Sequence, residues 1–225
     1  MTRQVVAAFD FDGTLTHGGS VWQFLSSMVG RPRVLLAGAT LAHRIAYAAL
    51  FGGHAIDDTK ERLFTKTLGG LEATDVRKRS VAFGLDHYRR RARADVRERL
   101  EWHRDRGHRI VIVSASPEAY VGAVGEELRA DTVIATRLMI GDDGRLTGRY
   151  DGRNCRGQEK VDRIRAWMAA EADGATPYLW AYGNSAGDLR LLAAADTGVD
   201  VGRLGRIGRL GRFSRLADVV ERVSG

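Results

Sequence analysis

The sequence predicts an α/β protein: a doubly wound parallel sheet with an all-helical domain inserted after its first strand. Three observations carry that expectation. Short apolar, β-branched runs at 5–9, 109–113, 132–135, 178–182 and 197–201 alternate with helical stretches, the order expected of a parallel sheet built from βα units. Several runs end in residues that turn the chain, such as Asp12-Gly13, Ser116-Pro117 and Gly183-Asn184. Between the first two runs, residues 17–93 carry helical patterns and no strand pattern. The expected division is a core domain of 1–16 with 94–225 and a helical domain of 17–93.

The elements follow in order. The run VVAAF at 5–9 reads as a short buried strand, ended by Asp10, Asp12 and Gly13. Ser20 is placed to cap a helix over 21–29, which carries Trp22, Phe24, Leu25 and Met28. Residues 34–51 read as one helix, apolar almost all round. It is nearly long enough to span a bilayer, but the central Arg44 opposes a free span. A buried helix is the first expectation there, and a helix lying on a membrane surface the second. Asp57 or Asp58 would cap a helix to Leu68, and Thr74 one from Asp75 to about Arg93. After a polar helix over 95–106 comes the strand 109–113, then Ser114 to Pro117, with Pro117 in the first turn of a helix to about Leu128. A strand at 132–135 precedes a hairpin, 138–140 and 146–150, around Gly141 to Gly144. A helix over 157–170, a strand at 178–182, a helix from Leu189 and a last strand at 197–201 complete the core. Residues 202–213 are four Gly-Arg-apolar triplets, with Arg203, Arg206, Arg209 and Arg212. So much glycine opposes a helix there.

Composition narrows the class. The 44% apolar and 28% charged content is that of an ordinary globular chain. A single cysteine, Cys155, excludes an internal disulfide. The first strand begins within a few residues of Met1, which leaves no room for a cleavable signal peptide, so a cytoplasmic location is expected. The net charge of +7 favours anionic partners such as phosphorylated metabolites or anionic lipid. Nucleic acid is not expected, because aromatic interleaving in the basic tail is limited to Phe213. Oligomeric state is not legible.

Four strand ends supply the chemistry. Asp10 and Asp12 offer two carboxylates one residue apart, an arrangement that calls for a compensating cation or a shared proton. Ser114 and the following helix start form a natural phosphate cradle. Lys160 opens a helix and can pair with a phosphate oxygen and a carboxylate. Asp188, after a glycine-rich turn, suits a hard cation.

These stretches, DFDGTLT, IVSAS, RGQEKV and GNSAGD, resemble motifs I to IV of the haloacid dehalogenase-like (HAD) superfamily. The position of the helical insertion is similar to a C1 cap, and the hairpin DDGRLTG resembles one in the phosphoserine phosphatase-like branch, subfamily IB. The resemblance implies a Mg²⁺-dependent phosphatase acting on a phosphorylated small molecule. Asp10 would be the nucleophile that becomes an aspartyl phosphate, and Asp12 the general acid and base. Ser114 and Lys160 would stabilise the transferring phosphoryl group. The Asp10 carboxylate, the Asp12 backbone carbonyl, Asn184 and Asp188 would hold Mg²⁺. Gly13, Thr14, Ala115 and Arg62 would contact substrate. Two departures from the pattern stand out. Asn184 occupies a place where an acidic ligand is usual, and Gly19 aligns with the glutamate that reads the serine amino group in phosphoserine phosphatases. SASPEAYVGAV and NCRGQEKV are also similar to a phosphatidylglycerophosphate phosphatase branch. That would make the substrate a lipid phosphate and would bring 34–51 and 202–213 to an anionic membrane. A non-catalytic phosphate-binding module is the remaining alternative.

Overall fold

A computed structural model describes residues 3–171, 175–202 and 214–215. A six-stranded parallel sheet has the order β3-β2-β1-β6-β7-β8. Its strands are β1 (Val5–Phe9), β2 (Arg109–Pro117), β3 (Thr132–Thr136), β6 (Tyr178–Gly183), β7 (Thr197–Asp200) and β8 (Ser214–Arg215). A separate antiparallel hairpin pairs β4 (Leu138–Ile140) with β5 (Leu146–Tyr150). The register Ala8↔Val111 and Ala8↔Ala181 sets β1 centrally between β2 and β6, so the ends of all three strands reach one rim.

The strands alternate faces as a two-residue period requires. Ala7, Phe9, Ile110 and Ile112 face a large core shared with Phe24, Tyr120, Val121 and Val124. Val6, Ala8, Val111 and Val113 face a second core under α8 (Gln158–Glu171) and α9 (Leu189–Ala194), with Val161, Ile164 and Leu191. Apolar packing on both faces is why these strands read as continuous hydrophobic runs. α6 (Ala94–Asp105) and α7 (Glu118–Glu127) lie between strands in sequence, giving the doubly wound order.

Between β1 and β2 the chain forms α1 (Val21–Val29), α2 (Arg31–Thr40), α3 (Ala42–Phe51), α4 (His54–Leu68) and α5 (Ala73–Arg91). The single helix expected over 34–51 is two, bent by 70° at Leu41. Thr40 Oγ1 donates to the Ala37 carbonyl, which would otherwise accept from Leu41, and the Leu41 amide turns to Gly38. Leu41 is buried while its neighbours are exposed, which pins the bend. Among the described residues no single helix is long and apolar enough to cross a membrane. Three starts also differ. α4 begins at His54, three residues before Asp57. α5 begins at Ala73, before Thr74. β2 runs on to Pro117, which precedes α7. β8 was not anticipated, and the triplets with Arg203, Arg206, Arg209 and Arg212 lie outside the described residues.

Candidate active site

The strand ends bring the predicted groups together. Asp10 follows β1 and Asp188 precedes α9, and both are buried. Between them lies the ammonium of Lys160, from the first turn of α8, 2.6 Å from Asp10 Oδ1 and 2.6 Å from Asp188 Oδ1. Lys160 is only 1% exposed, so this is a buried cation shared by two buried carboxylates. The other Asp188 oxygen accepts from the amides of Asn184 and Ser185 and from the Ser185 hydroxyl.

These contacts set the charge states. Burial pushes the Asp10 carboxyl up and the Asp188 charge adds to that. Lys160 works against both, and the balance leaves Asp10 at about 7. Burial also pushes Asp188 up, but Lys160 and the Ser185 donors outweigh it and hold that carboxyl below its ordinary range. Burial disfavours the Lys160 ammonium, yet the two carboxylates keep it well above its usual value.

Asp12 stands apart from this triad. Its Oδ2 accepts from Ser116 Oγ at 2.5 Å and from Ser20 Oγ at 3.0 Å. Ser20 Oγ lies 2.6 Å from the Tyr120 hydroxyl. Since the Ser20 proton goes to Asp12, Tyr120 must donate to Ser20. Burial first, then the Asp12 charge, raises Tyr120 well above its ordinary value, so it stays a donor. Asp12 Oδ1 is buried and has no hydrogen-bond partner among the described residues. Ser20 therefore does not cap α1. It stands at that helix's N-cap without a side-chain capping bond, and its hydroxyl serves Asp12.

The phosphate-cradle residues are fixed by neighbours. Ser114 Oγ accepts from the Ser116 amide at 3.0 Å, and the Ala115 carbonyl accepts from Thr136 Oγ1 at 2.8 Å and from Lys60 Nζ at 2.6 Å. The Ala115–Ser116 peptide is thus held at both ends. Gly13, at φ 83°, passes so close to Asn184 that a Cβ would sit 2.2 Å from its Nδ2. Thr14 Oγ1 donates to Asn184 Oδ1 at 3.2 Å, which ties the β1 loop to the β6 loop. Arg93 donates to the carbonyls of Gly13 and Val201.

Arg62 is not gathered with these groups: it is half-exposed on α4 and pairs with Asp58 at 3.1 Å. Lys60, two residues earlier on the same helix, makes the contact from α4 to the β2 loop. Sequence reasoning missed Lys60, Ser20, Ser116 and Tyr120. Only a hydroxyl or ammonium facing a strand end marks them, and facing is set by packing. Cys155 is buried, and burial pushes its thiol up to about 11, so it is no nucleophile. His17 is exposed.

The donor set suits a hard divalent cation. Among the described residues no three His, Cys, Asp or Glu side chains gather as a metal cluster. Asp10 and Asp188 supply two carboxylates, and the Asn184 amide oxygen and the Asp12 backbone carbonyl are the further oxygens available. Two buried carboxylates, Asp10 and Asp188, share one buried ammonium, and burial first, then the Asp188 charge, raises the Asp10 carboxyl. An oxygen-seeking cation answers that charge.

A family model of haloacid dehalogenase-like hydrolase matches residues 7–193, from inside β1 to the end of α9. The chain belongs to that family. Protein CicA of Caulobacter vibrioides is 39% identical over 195 residues, covering 85% of this chain and 83% of its own. A protein of unknown function from Bordetella pertussis has the same fold, with a TM-score of 0.78 at 20% identity over 95% of this chain and 98% of its own. So does a phosphoserine phosphatase captured as a phospho-aspartyl intermediate analogue, with a TM-score of 0.63 at 20% identity over 89% of this chain and 87% of its own. This HAD hydrolase shares the fold of that phosphoserine phosphatase, a parallel sheet with a helical insert after its first strand.

Proposed function

We propose that this HAD phosphatase hydrolyses a small phosphomonoester with Mg²⁺ through an aspartyl-phosphate intermediate. The observation that carries the reading is the division of labour between Asp10 and Asp12, two carboxylates separated by a single residue. Asp10 is locked to Lys160, whereas Asp12 hangs from two serine hydroxyls by one oxygen and keeps the other unpartnered among the described residues. Asp10 Oδ attacks phosphorus, and the bond to the leaving oxygen breaks. Asp12, protonated, gives that oxygen its proton and then takes one from the water that hydrolyses the acyl phosphate. Lys160 and Ser114 face the charge that spreads over the phosphoryl oxygens. Asp10, the Asp12 carbonyl, Asn184 and Asp188 would hold Mg²⁺, which when bound offsets the repulsion between carboxylate and phosphate. Gly13, Thr14 and Ala115 shape the cradle. Residues 17–93 act as the cap over a core of 1–16 and 94–225, and the enzyme works in the cytoplasm.

A lipid phosphate is the second reading of the substrate, favoured by the exposed apolar side chains of α2 and α3 described below. Phosphate release from a panel of soluble and lipid phosphomonoesters, with Mg²⁺ or chelator, tests both. Turnover that is lost with chelator and in Asp10→Asn supports the mechanism, and the best ester decides the substrate class. Binding of phosphate analogues without any turnover would reduce the protein to a phosphate-binding module, with Asn184 as the residue to explain.

A further inference from the structure

We infer that the bent pair α2–α3 is a docking surface for an anionic membrane, inserted shallowly and parallel to it. Six large apolar side chains stand in solvent on these two helices: Leu35, Leu36, Ile45, Tyr47, Leu50 and Phe51, with Leu50 80% and Leu36 68% exposed. The rings of Tyr47 and Phe51 pack on one another with centroids 4.4 Å apart, giving the surface an aromatic end. The side chains that fix the pair to the rest of the molecule are different ones, Val34, Ala37, Leu41 and Ala48, all buried. The exposed set is therefore separate from the side chains that anchor the pair. Six large apolar side chains exposed within two short adjoining helices, two of them packed on each other, mark an interaction site.

Charge selects the occupant. Residues 31–51 contain Arg31, Arg33, His43 and Arg44 and no aspartate or glutamate. Arg44 pairs with Asp58, but Arg31 and Arg33 are exposed and make no ion pair among the described residues. Arg31 also lines a groove with Trp22, Leu35 and Arg91, where two guanidinium groups meet two large apolar side chains. A protein partner would need its own acidic apolar patch, whereas an anionic bilayer presents phosphate beside hydrocarbon over its whole area. Geometry selects the depth. Each helix has ten residues, so it spans about 15 Å, half of a hydrocarbon core of about 30 Å. With a 70° bend between them they lie in the interface rather than cross it.

Docking is measured without turnover, so it stands or falls separately from the phosphatase reading. The full chain is sedimented with vesicles of phosphatidylcholine alone and of phosphatidylcholine mixed with phosphatidylglycerol, at low and high salt. The expected result is salt-sensitive binding to the anionic vesicles only. Leu36→Glu combined with Leu50→Glu should weaken it by roughly tenfold or more. Arg31→Gln with Arg33→Gln should weaken it by roughly fivefold per arginine. All variants should melt in circular dichroism within a few degrees of the wild type, which shows that they fold. Failure of the wild type to bind anionic vesicles overturns the inference. So does binding indifferent to both double variants, which would assign the contact to the triplets of 202–213. A wild-type dimer that Leu36→Glu with Leu50→Glu turns into a monomer would overturn it too, by showing that a second copy covers the face.

Discussion

Replacing Lys160 with Met keeps most of the side-chain volume and removes the one cation that Asp10 and Asp188 share. Both contacts are 2.6 Å and all three groups are buried, so nothing from solvent replaces the ammonium. Removing one partner of a buried ion pair typically costs about 3–5 kcal/mol. Against a total stability of about 5–15 kcal/mol, that is a large share. The pH dependence separates this from a simple packing defect. The Asp10 carboxyl, ordinarily near 3.8, sits at about 7 even with Lys160 present. A carboxyl raised on folding binds its proton more tightly in the native state, so it makes stability fall as pH rises from 3.8 to the folded value. In the wild type that loss ends near 7. In Lys160→Met the folded value moves higher still, and the loss continues at about 1.4 kcal/mol per pH unit above 7. Urea unfolding in the presence of chelator, at about pH 6 and about pH 8, reads the difference. The gap between variant and wild type should widen by more than 1 kcal/mol, on the order of the slope above, and phosphatase activity should vanish at both. An equal gap at the two pH values, or none, would refute the shared-cation account of the site.

Asn184→Asp adds a carboxylate beside Asp10 and Asp188 while leaving Thr14 an acceptor, and should tighten Mg²⁺ by about tenfold. A Mg²⁺ titration of the melting temperature checks this, and an unchanged midpoint would remove Asn184 from the metal site. Lys60 donates to the Ala115 carbonyl, and burial lowers its ammonium to about 8. A lysine lowered on folding is costly to charge, so this cost should persist below pH 8 and be relieved as pH rises from 8 to 10.5, a gain in urea stability that Lys60→Met abolishes. The same variant should lose about tenfold in kcat/KM near neutrality, where a charge-assisted hydrogen bond of ~1.5–3 kcal/mol is removed; wild-type kinetics would show that Lys60 only packs. Gly13→Ala places a Cβ within 2.2 Å of Asn184 at a backbone φ of 83°, and Gly202 closes the other side of that asparagine. It should cost about 1–3 kcal/mol and most of the activity, measured by thermal melts and phosphate release.

The sheet was legible because its strands are buried on both faces. Val6 and Ala8 pack under α8 while Ala7 and Phe9 pack under the other layer, so the sequence shows an unbroken apolar run whichever way each residue points. The charged centre was legible for the same reason of position: Asp10 and Asp12 stand just past the end of β1, and Lys160 and Asp188 at helix starts, whereas Ser114, expected to close its strand, lies inside β2, which runs on to Pro117. What stayed hidden depends on direction across the fold. The break at Leu41 lies in a stretch whose composition is uniformly apolar. It is made by Thr40 taking a carbonyl and by Leu41 turning inward, neither of which leaves a mark in hydropathy. Arg62 and Lys60 are two residues apart on one helix, hence on different faces, and only the packed α4 decides which reaches the core.

Ser20 shows why the local rule failed where the chemistry lies. A serine before an apolar helical run is a capping signal, and the helix does begin after it. Yet a cap hydroxyl must point at its own helix, and this one points away, to Asp12 and Tyr120. α1 forgoes that capping bond, worth about 1 kcal/mol. In exchange, Ser20, at the start of the first helix of the insert, is joined to Asp12, the carboxylate proposed as the general acid. Ser116 reaches the same oxygen from β2, so Asp12 is held jointly by the sheet and by the insert. If the insert shifts, Ser20 moves with it, and Asp12 loses one of its two donors while Ser116 keeps the other. Asp12 is therefore the point at which the sheet, through Ser116, and the insert, through Ser20, grip one carboxylate oxygen.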